Sequence, residues 1–379
     1  MLQNLDRETL HNWLIALRAP QVGRAVLLQA LEAGGISKLF RRSSQLSAAA
    51  REYLANPDDK LLQSDLEWLA DSQHHLLTYD HPDYPALLKR IPDPPIALWL
   101  AGDPNLLFQP QIAIIGSRNP TRGGLDNASA FASYLSQQGL LVVSGLASGI
   151  DAAGHEAALR VSSTIAVLGS GADVIYPASN RQLSNKIASN GLLVTEFPPG
   201  TAAKASHFPS RNRIISGLSM GVLVVEAGIK SGTLITARLA TEQGRDVFAI
   251  PGSIHNPMSK GCHRLIKEGA KLVETGADVL QELGPVAAEI AATLHQRLQT
   301  TSISALDSSS KNISHEGMEL LEDQEYQQIW ANLSFDPQSV EKIIRLSGLT
   351  PQAVSSMLLM LELKGMVQTH PGGTFSRLQ

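Results

Sequence analysis

Between residues 111 and 283, short runs of aliphatic and β-branched residues recur. Each is followed by a stretch in which apolar positions repeat at helical spacing. The runs fall at 112–116, 140–144, 164–169, 192–196, 221–226 and 246–250. Helical patterns fill the gaps at 125–138, 151–160, 182–189 and 233–243. Strands that read as unbroken apolar runs belong to a sheet covered by helices on both faces, so the pattern predicts an α/β, Rossmann-like doubly wound parallel sheet over 106–283.

The flanks have other textures. Residues 1–105 are rich in Leu and Ala, with Leu10, Trp13, Leu14 and Leu17 at helical spacing, and predict a small helical domain. Helices at 14–18 and 24–32 flank the turn Ala19-Pro20-Gln21-Val22-Gly23. That hairpin resembles those of helix-hairpin-helix and SAM-like modules, whose amides touch phosphates; an ordinary turn in a small bundle is the other reading. Residues 284–322 hold Gly284-Pro285 and a Ser/Thr-rich stretch at 300–310, and acids cluster at Glu319, Glu322, Asp323 and Glu325: a linker composition. Helices at 326–333, 340–347 and 351–364, then Met366-Val367-Gln368-Thr369 and a Gly372-Gly373 turn, predict a winged-helix domain over 323–379.

Composition narrows the function. Lys+Arg number 31 and Asp+Glu 35, a net charge of −4, which excludes a histone-like, uniformly basic protein but leaves room for a local basic patch. The single cysteine, Cys262, excludes a disulfide framework and a Cys-rich zinc site, and fits a reducing compartment. No run approaches the ~18 apolar residues of a membrane span, and the first twenty residues carry no continuous apolar core of a signal. A soluble, cytoplasmic protein without a membrane partner is expected.

In doubly wound sheets, ligands bind beyond the carboxyl ends of the strands. Gly and Ser cluster there: Gly116-Ser117-Arg118, then Ser144-Gly145-Leu146-Ala147-Ser148-Gly149-Ile150-Asp151, Gly169-Ser170-Gly171, and Lys230-Ser231-Gly232-Thr233. Glycine admits close backbone approach, and helix-start amides favour an anion. No complete G-x-G-x-x-G or P-loop occurs, so a bound dinucleotide or ATP is disfavoured and no cofactor is expected. The segment 201–215 adds Lys204, Arg211 and Arg213 and no acid. On a helix Arg211 and Arg213 diverge by about 200°, so only one can face the rim. With Arg118 and Lys230 they predict a positive groove, with Phe208 and Tyr176 as candidates for base stacking.

A catalytic constellation is not evident. Asp151 and His155 are helical neighbours without a nucleophile in register, and His155 is read as capping or packing. Glu196 and Glu226, at strand ends, are read as carboxylates that orient the arginines. The eleven histidines show no metal-ligand spacing, and no metal is expected.

Taken in order, these motifs resemble the DprA/Smf family of bacterial DNA-processing proteins. The match also includes Gly171-Ala172-Asp173-Val174-Ile175-Tyr176-Pro177, Phe208-Pro209-Ser210-Arg211-Asn212-Arg213, Glu226-Ala227, Pro251-Gly252 and Gly261-Cys262-His263-Arg264. The resemblance implies a non-enzymatic protein that binds single-stranded DNA, loads the RecA recombinase during natural transformation and forms a homodimer. It implies a DNA site on the loop rim with Arg118 as anchor. It implies a dimer surface at His263, Ile266 and Leu272, and a RecA contact near Arg238 and Thr241. Family members often carry a Lys after the Tyr-Pro pair; Ala178 stands there, leaving Arg181 or Lys186 to substitute. Helix 351–364 offers Gln352, Ser355 and Ser356 but one cation, Lys364, against Glu362, which favours a regulatory wing or weak duplex contact over sequence reading.

The rival is an enzyme, since the sheet also resembles the nucleotide phosphoribohydrolases with a PGGxGTxxE loop. Here the segment reads Gly228-Ile229-Lys230-Ser231-Gly232-Thr233-Leu234-Ile235-Thr236, and Thr236 stands where the catalytic Glu would be. Threonine supplies no carboxylate for acid–base work.

Overall fold

The computed structural model describes residues 5–41, 46–283 and, in the C-terminal region, 328–330, 332–334, 338–347, 349, 354, 357–358, 361, 367–370 and 374–377. It divides into two compact units, Met1–Ile290 and Ala291–Gln379. The expected linker, 284–322, lies outside the described residues.

The first unit begins with five helices: α1 (Arg7–Arg18), α2 (Arg24–Glu32), α3 (Ser37–Arg41), α4 (Ala48–Ala55) and α5 (Asp59–Leu69). Side chains of Asp6, Ser47 and Asp58 accept the first free amides of α1, α4 and α5, fixing where each helix starts. Their apolar faces close over Trp13, Leu14, Leu27, Leu54 and Leu62, and the cluster also takes in Trp99 from the sheet. One buried ion pair braces this segment. Arg18 donates Nε and Nη2 to the buried Asp65 carboxylate, both at 2.6 Å, and Nη2 also to the Pro199 carbonyl at 3.0 Å.

The chain then enters the sheet sooner than the sequence suggests. Strands β1 (His74–Thr78) and β2 (Ala97–Gly102), with the short α6 (Ala86–Lys89) between them, fall in the region assigned above to the helical domain. β2 is buried throughout and pairs antiparallel with both β1 and the sheet. The apolar run at 96–100 marks it, but an antiparallel addition before the first βα unit breaks the alternation from which the other strands are read.

The rest alternates as expected: β3 (Gln111–Ile115), α7 (Arg122–Gln137), β4 (Leu141–Ser144), α8 (Ile150–Leu159), β5 (Thr164–Val167), α9 (Arg181–Asn190) and β6 (Leu192–Thr195). It continues through α10 (His207–Leu218), β7 (Gly221–Val224), α11 (Thr233–Glu242), β8 (Asp246–Ala249), α12 (Lys260–Lys267) and β9 (Lys271–Leu272). The sheet order is β1-β2-β6-β5-β4-β3-β7-β8-β9, with β6 through β9 mutually parallel. It is a Rossmann-like doubly wound sheet whose order reverses between β3 and β7. Successive residues feed opposite faces. Ala113 and Ile115 join one core with α10 and α11, whereas Ile112 and Ile114 join another with α7 and α8.

The second unit closes around Ile329, Leu333, Ile343, Leu358 and Val367. It holds the helix Val340–Ser347 and a three-stranded antiparallel sheet in which Thr374–Arg377 lies between Gln338–Ser339 and Val367–His370. Gln352, Ser355, Ser356, Glu362, Lys364 and the Gly372-Gly373 turn lie outside the described residues. Among the described residues no helix is long and apolar enough to cross a membrane.

Candidate nucleic-acid interface

Where the strand order reverses, the loops leaving β3 and β7 part toward opposite faces and leave a crevice. The cleft there encloses about 850 Å³. Its walls carry Gly116, Ser117 and Arg118 from the first loop, and Lys230, Ser231, Gly232 and Thr233 from the start of α11. Tyr176 and the α10 residues Phe208, Arg211 and Asn212 complete it. A recess of about 260 Å³ shares Arg118, Tyr176, Phe208 and Arg211 and adds Gly145, Ser148 and Pro177. Arg118, Arg211 and Lys230, distant in sequence, thus share one cavity.

The three cations are held differently. Arg118 and Lys230 are exposed, and the Arg118 guanidinium lies 5.5 Å from the centre of the Phe208 ring. The Tyr176 ring, half exposed, stands 5.4 Å from Phe208, so a guanidinium and two rings follow one another along one wall. Arg211 is 4% exposed and donates Nη1 to the Val167 carbonyl at 3.0 Å. Burial pulls its pKa down to about 10, Asp151 resists that fall, and Arg118 adds to it; it remains a cation at neutral pH. Its seat requires glycine at 145, where a Cβ would lie 1.6 Å from Nη1.

Asp151 takes up two amides of the second loop. Its carboxylate accepts the Gly145 and Ala147 amides at 3.1 and 3.3 Å, while the Ile150 amide donates to the Ser117 carbonyl at 3.2 Å. Burial pushes the Asp151 pKa up, with Arg211 and the two amides opposing. Ser144 is likewise spent internally, donating to the Ile114 carbonyl at 2.6 Å. Gly149, at φ +82°, is required by the close passage of the Ser117 and Arg118 carbonyls, not by an anion. Ser144 and Gly149 thus support the cleft wall through bonds and close passages within the fold, while Gly145 also lines the recess.

Other expectations part from the cleft. Arg213 turns away, held by Glu196 at 2.6 Å and by Asp93 at 3.0 Å, so the 200° divergence resolves in favour of Arg211. Glu196 therefore does orient an arginine, whereas Glu226 accepts only from Thr121 among the described contacts. Arg181 and Lys186 are exposed on α9 and line neither cavity. His155 packs in the core, its Nδ1 2.8 Å from the Thr164 hydroxyl. His263 and Ile266 lie on α12, His263 with its Nε2 2.9 Å from the Gly252 carbonyl, and the half-exposed Leu272 lies on the edge strand β9. Arg238 and Thr241 lie on the outer side of α11, where Arg238 pairs with Glu242 at 2.7 Å.

The cleft also takes in Asn119, Ala147, Ile235 and Met258, whose types give no sequence signal. Thr236 lines it and is buried. Asp151 is its one carboxylate among the described residues, engaged as above.

Fold and site together define a Rossmann-like protein with a cationic, ring-edged cleft at its switch point. The family model for DNA recombination-mediator protein A matches residues 75–284, and that for the DprA winged helix domain matches 319–373. Protein Smf of Escherichia coli is 39% identical over 326 residues, 86% of this chain and 83% of its own length. The X-ray structure of DNA processing protein A from Streptococcus pneumoniae superposes with a TM-score of 0.65 at 39% identity, covering 72% of this chain and 97% of that one. A structure of DNA processing protein A from Helicobacter pylori, described for its single-stranded DNA binding mode, gives 0.51 at 31% identity over 56% of this chain and 95% of that one. The chain belongs to the DprA/Smf family of DNA recombination-mediator proteins.

Proposed function

We propose that the switch-point cleft binds single-stranded DNA by its backbone. The observation that carries this reading is the convergence of Arg118, Arg211 and Lys230 on one cavity edged by Tyr176 and Phe208. Cations that meet successive phosphates, beside rings that accept any base, recognise a strand without reading its sequence. The Helicobacter pylori relative, described for single-stranded DNA binding, supports the same ligand. The chain needs no cofactor in this role, and the engaged Asp151 beside Thr236 favours binding over catalysis.

Within that reading the protein acts in the cytoplasm, shields incoming DNA and hands it to the RecA recombinase. It pairs as a homodimer along the edge carrying His263, Ile266 and Leu272, with RecA meeting α11 near Arg238 and Thr241. The test is titration of single-stranded and duplex oligonucleotides across a salt series, with mass followed by light scattering. Single strands bind more tightly, and log K falls with log salt by about 0.7 per phosphate neutralised. Arg118→Glu weakens binding and flattens that slope without unfolding the protein. Unaltered affinity in Arg118→Glu removes this residue from the site.

A further inference from the structure

We infer that Glu226 is a positioning residue that sets the loop bearing Arg118, an inference that rests on the reading of the cleft above. Glu226 follows β7, and its carboxylate reaches across the switch point to the loop that follows β3. Oε2 accepts the Thr121 amide at 2.9 Å and Oε1 accepts the Thr121 hydroxyl at 2.6 Å. Thr121 in turn caps α7, its Oγ1 accepting the Gly124 amide at 3.0 Å. One side chain thus ties a strand end, a helix start and the intervening loop.

The helix is built to admit it. Two consecutive glycines in a first turn are poor helix formers, yet a Cβ at Gly124 would lie 2.5 Å from the Glu226 carboxyl group. Gly124 is therefore the space that the carboxylate occupies. Glu226 is buried, lines neither cavity and meets no cation among the described salt bridges. Its charge is borne by the Thr121 donors and the positive end of α7.

Electrostatics sharpens the case. A carboxylate close to a phosphate-binding loop opposes the ligand, so a mere bystander at 226 would improve binding on neutralisation. Arg118 needs outside help because its guanidinium has only the Phe208 ring as a described partner. Its backbone is held before it by the Ile150 amide on the Ser117 carbonyl, across it by the Asn119 amide on the Ser117 hydroxyl, and after it by Glu226 on Thr121. Releasing the Glu226 anchor loosens the C-terminal side of the loop while leaving every cation in the chain.

The experiment measures single-strand affinity and its salt slope for Glu226→Gln, Arg118→Ala and the double variant of the full chain. Gln keeps the shape but turns an amide group toward one of two donors. Glu226→Gln is expected to weaken binding about fivefold, the effect of one lost hydrogen bond, with a slope reduced by about 0.7, as in Arg118→Ala. The double variant binds no more weakly than Arg118→Ala. Wild-type or tighter binding by Glu226→Gln, or simple addition of the two effects, overturns the inference while leaving the cleft reading intact. Wild-type binding by Arg118→Ala removes Arg118 from the site and overturns the inference with it. Should Glu226→Gln not fold, Thr121→Ser, which keeps amide and hydroxyl, is expected to match the wild type and Thr121→Val to weaken binding; equal affinities overturn the inference.

Discussion

Gly145 and Arg211 form a lock at the floor of the cleft, because the guanidinium occupies the space a side chain at 145 would need. Gly145→Ala displaces Arg211 or its own loop, at a cost of about 1–3 kcal/mol, read as a lower urea midpoint together with weaker strand binding. His155 governs a different property. It is fully buried, and burial, with Arg211 as the lesser cause, pulls its pKa down to about 3. Below its ordinary value near 6.5 the unfolded chain takes up a proton that the folded one refuses, so stability falls as pH drops. The loss from this residue reaches about 2 kcal/mol at pH 5. Asp151, with its raised pKa, works the other way as it gains a proton in the fold. Denaturant midpoints at pH 7 and pH 5 therefore fall less in His155→Gln than in the wild type. That His155 caps or packs was legible beforehand; the lock, and what encloses the histidine, were not. Sequence shows a glycine in a loop and a histidine on a helix, but not which guanidinium lies over the one or what encloses the other.

Helix α10 does most to build the site. Phe208, Arg211, Asn212 and Ile215 all line the cleft, the i, i+3, i+4, i+7 spacing of one helical face. Arg213, off that face, meets Glu196 and Asp93 instead. The spacing made it legible that one arginine only could face the rim, and the partners that decide which one come from β6 and the β1–β2 connection, far off in sequence. Phe208→Ala removes the middle member of the Arg118–Phe208–Tyr176 row. The expected loss is about 1–3 kcal/mol of single-strand binding with the salt slope unchanged, since no charge is removed. A titration at two salt concentrations separates that pattern from the flattened slope expected at Arg118. Six of the seven parallel strands, β3 to β8, were legible because burial on both faces leaves an unbroken apolar run, whereas the two-residue edge strand β9 leaves none. The antiparallel pair at 74–102 was not, since its first strand, His74–Thr78, is polar at one end and only half buried there.

For the whole molecule, the cleft lies within Met1–Ile290, and the winged helix belongs to the other compact unit. Deleting 320–379 is expected to leave single-strand affinity within about twofold and the urea midpoint of the remaining unit unchanged, consistent with independent cooperative units. A titration of the shortened chain checks both. The opposite end is not so separable. Arg18 grips the Pro199 carbonyl while pairing with Asp65, and the loop running on from Pro199 reaches Ala203 and Ala205 on the cleft wall. Strands β1 and β2 also shield the β6 flank of the sheet. A fragment trimmed to begin near residue 106 would thus leave an unpaired strand open to self-association and one wall without its brace. Affinities measured on such a fragment would describe a slacker, stickier molecule than the chain that keeps residues 1–105.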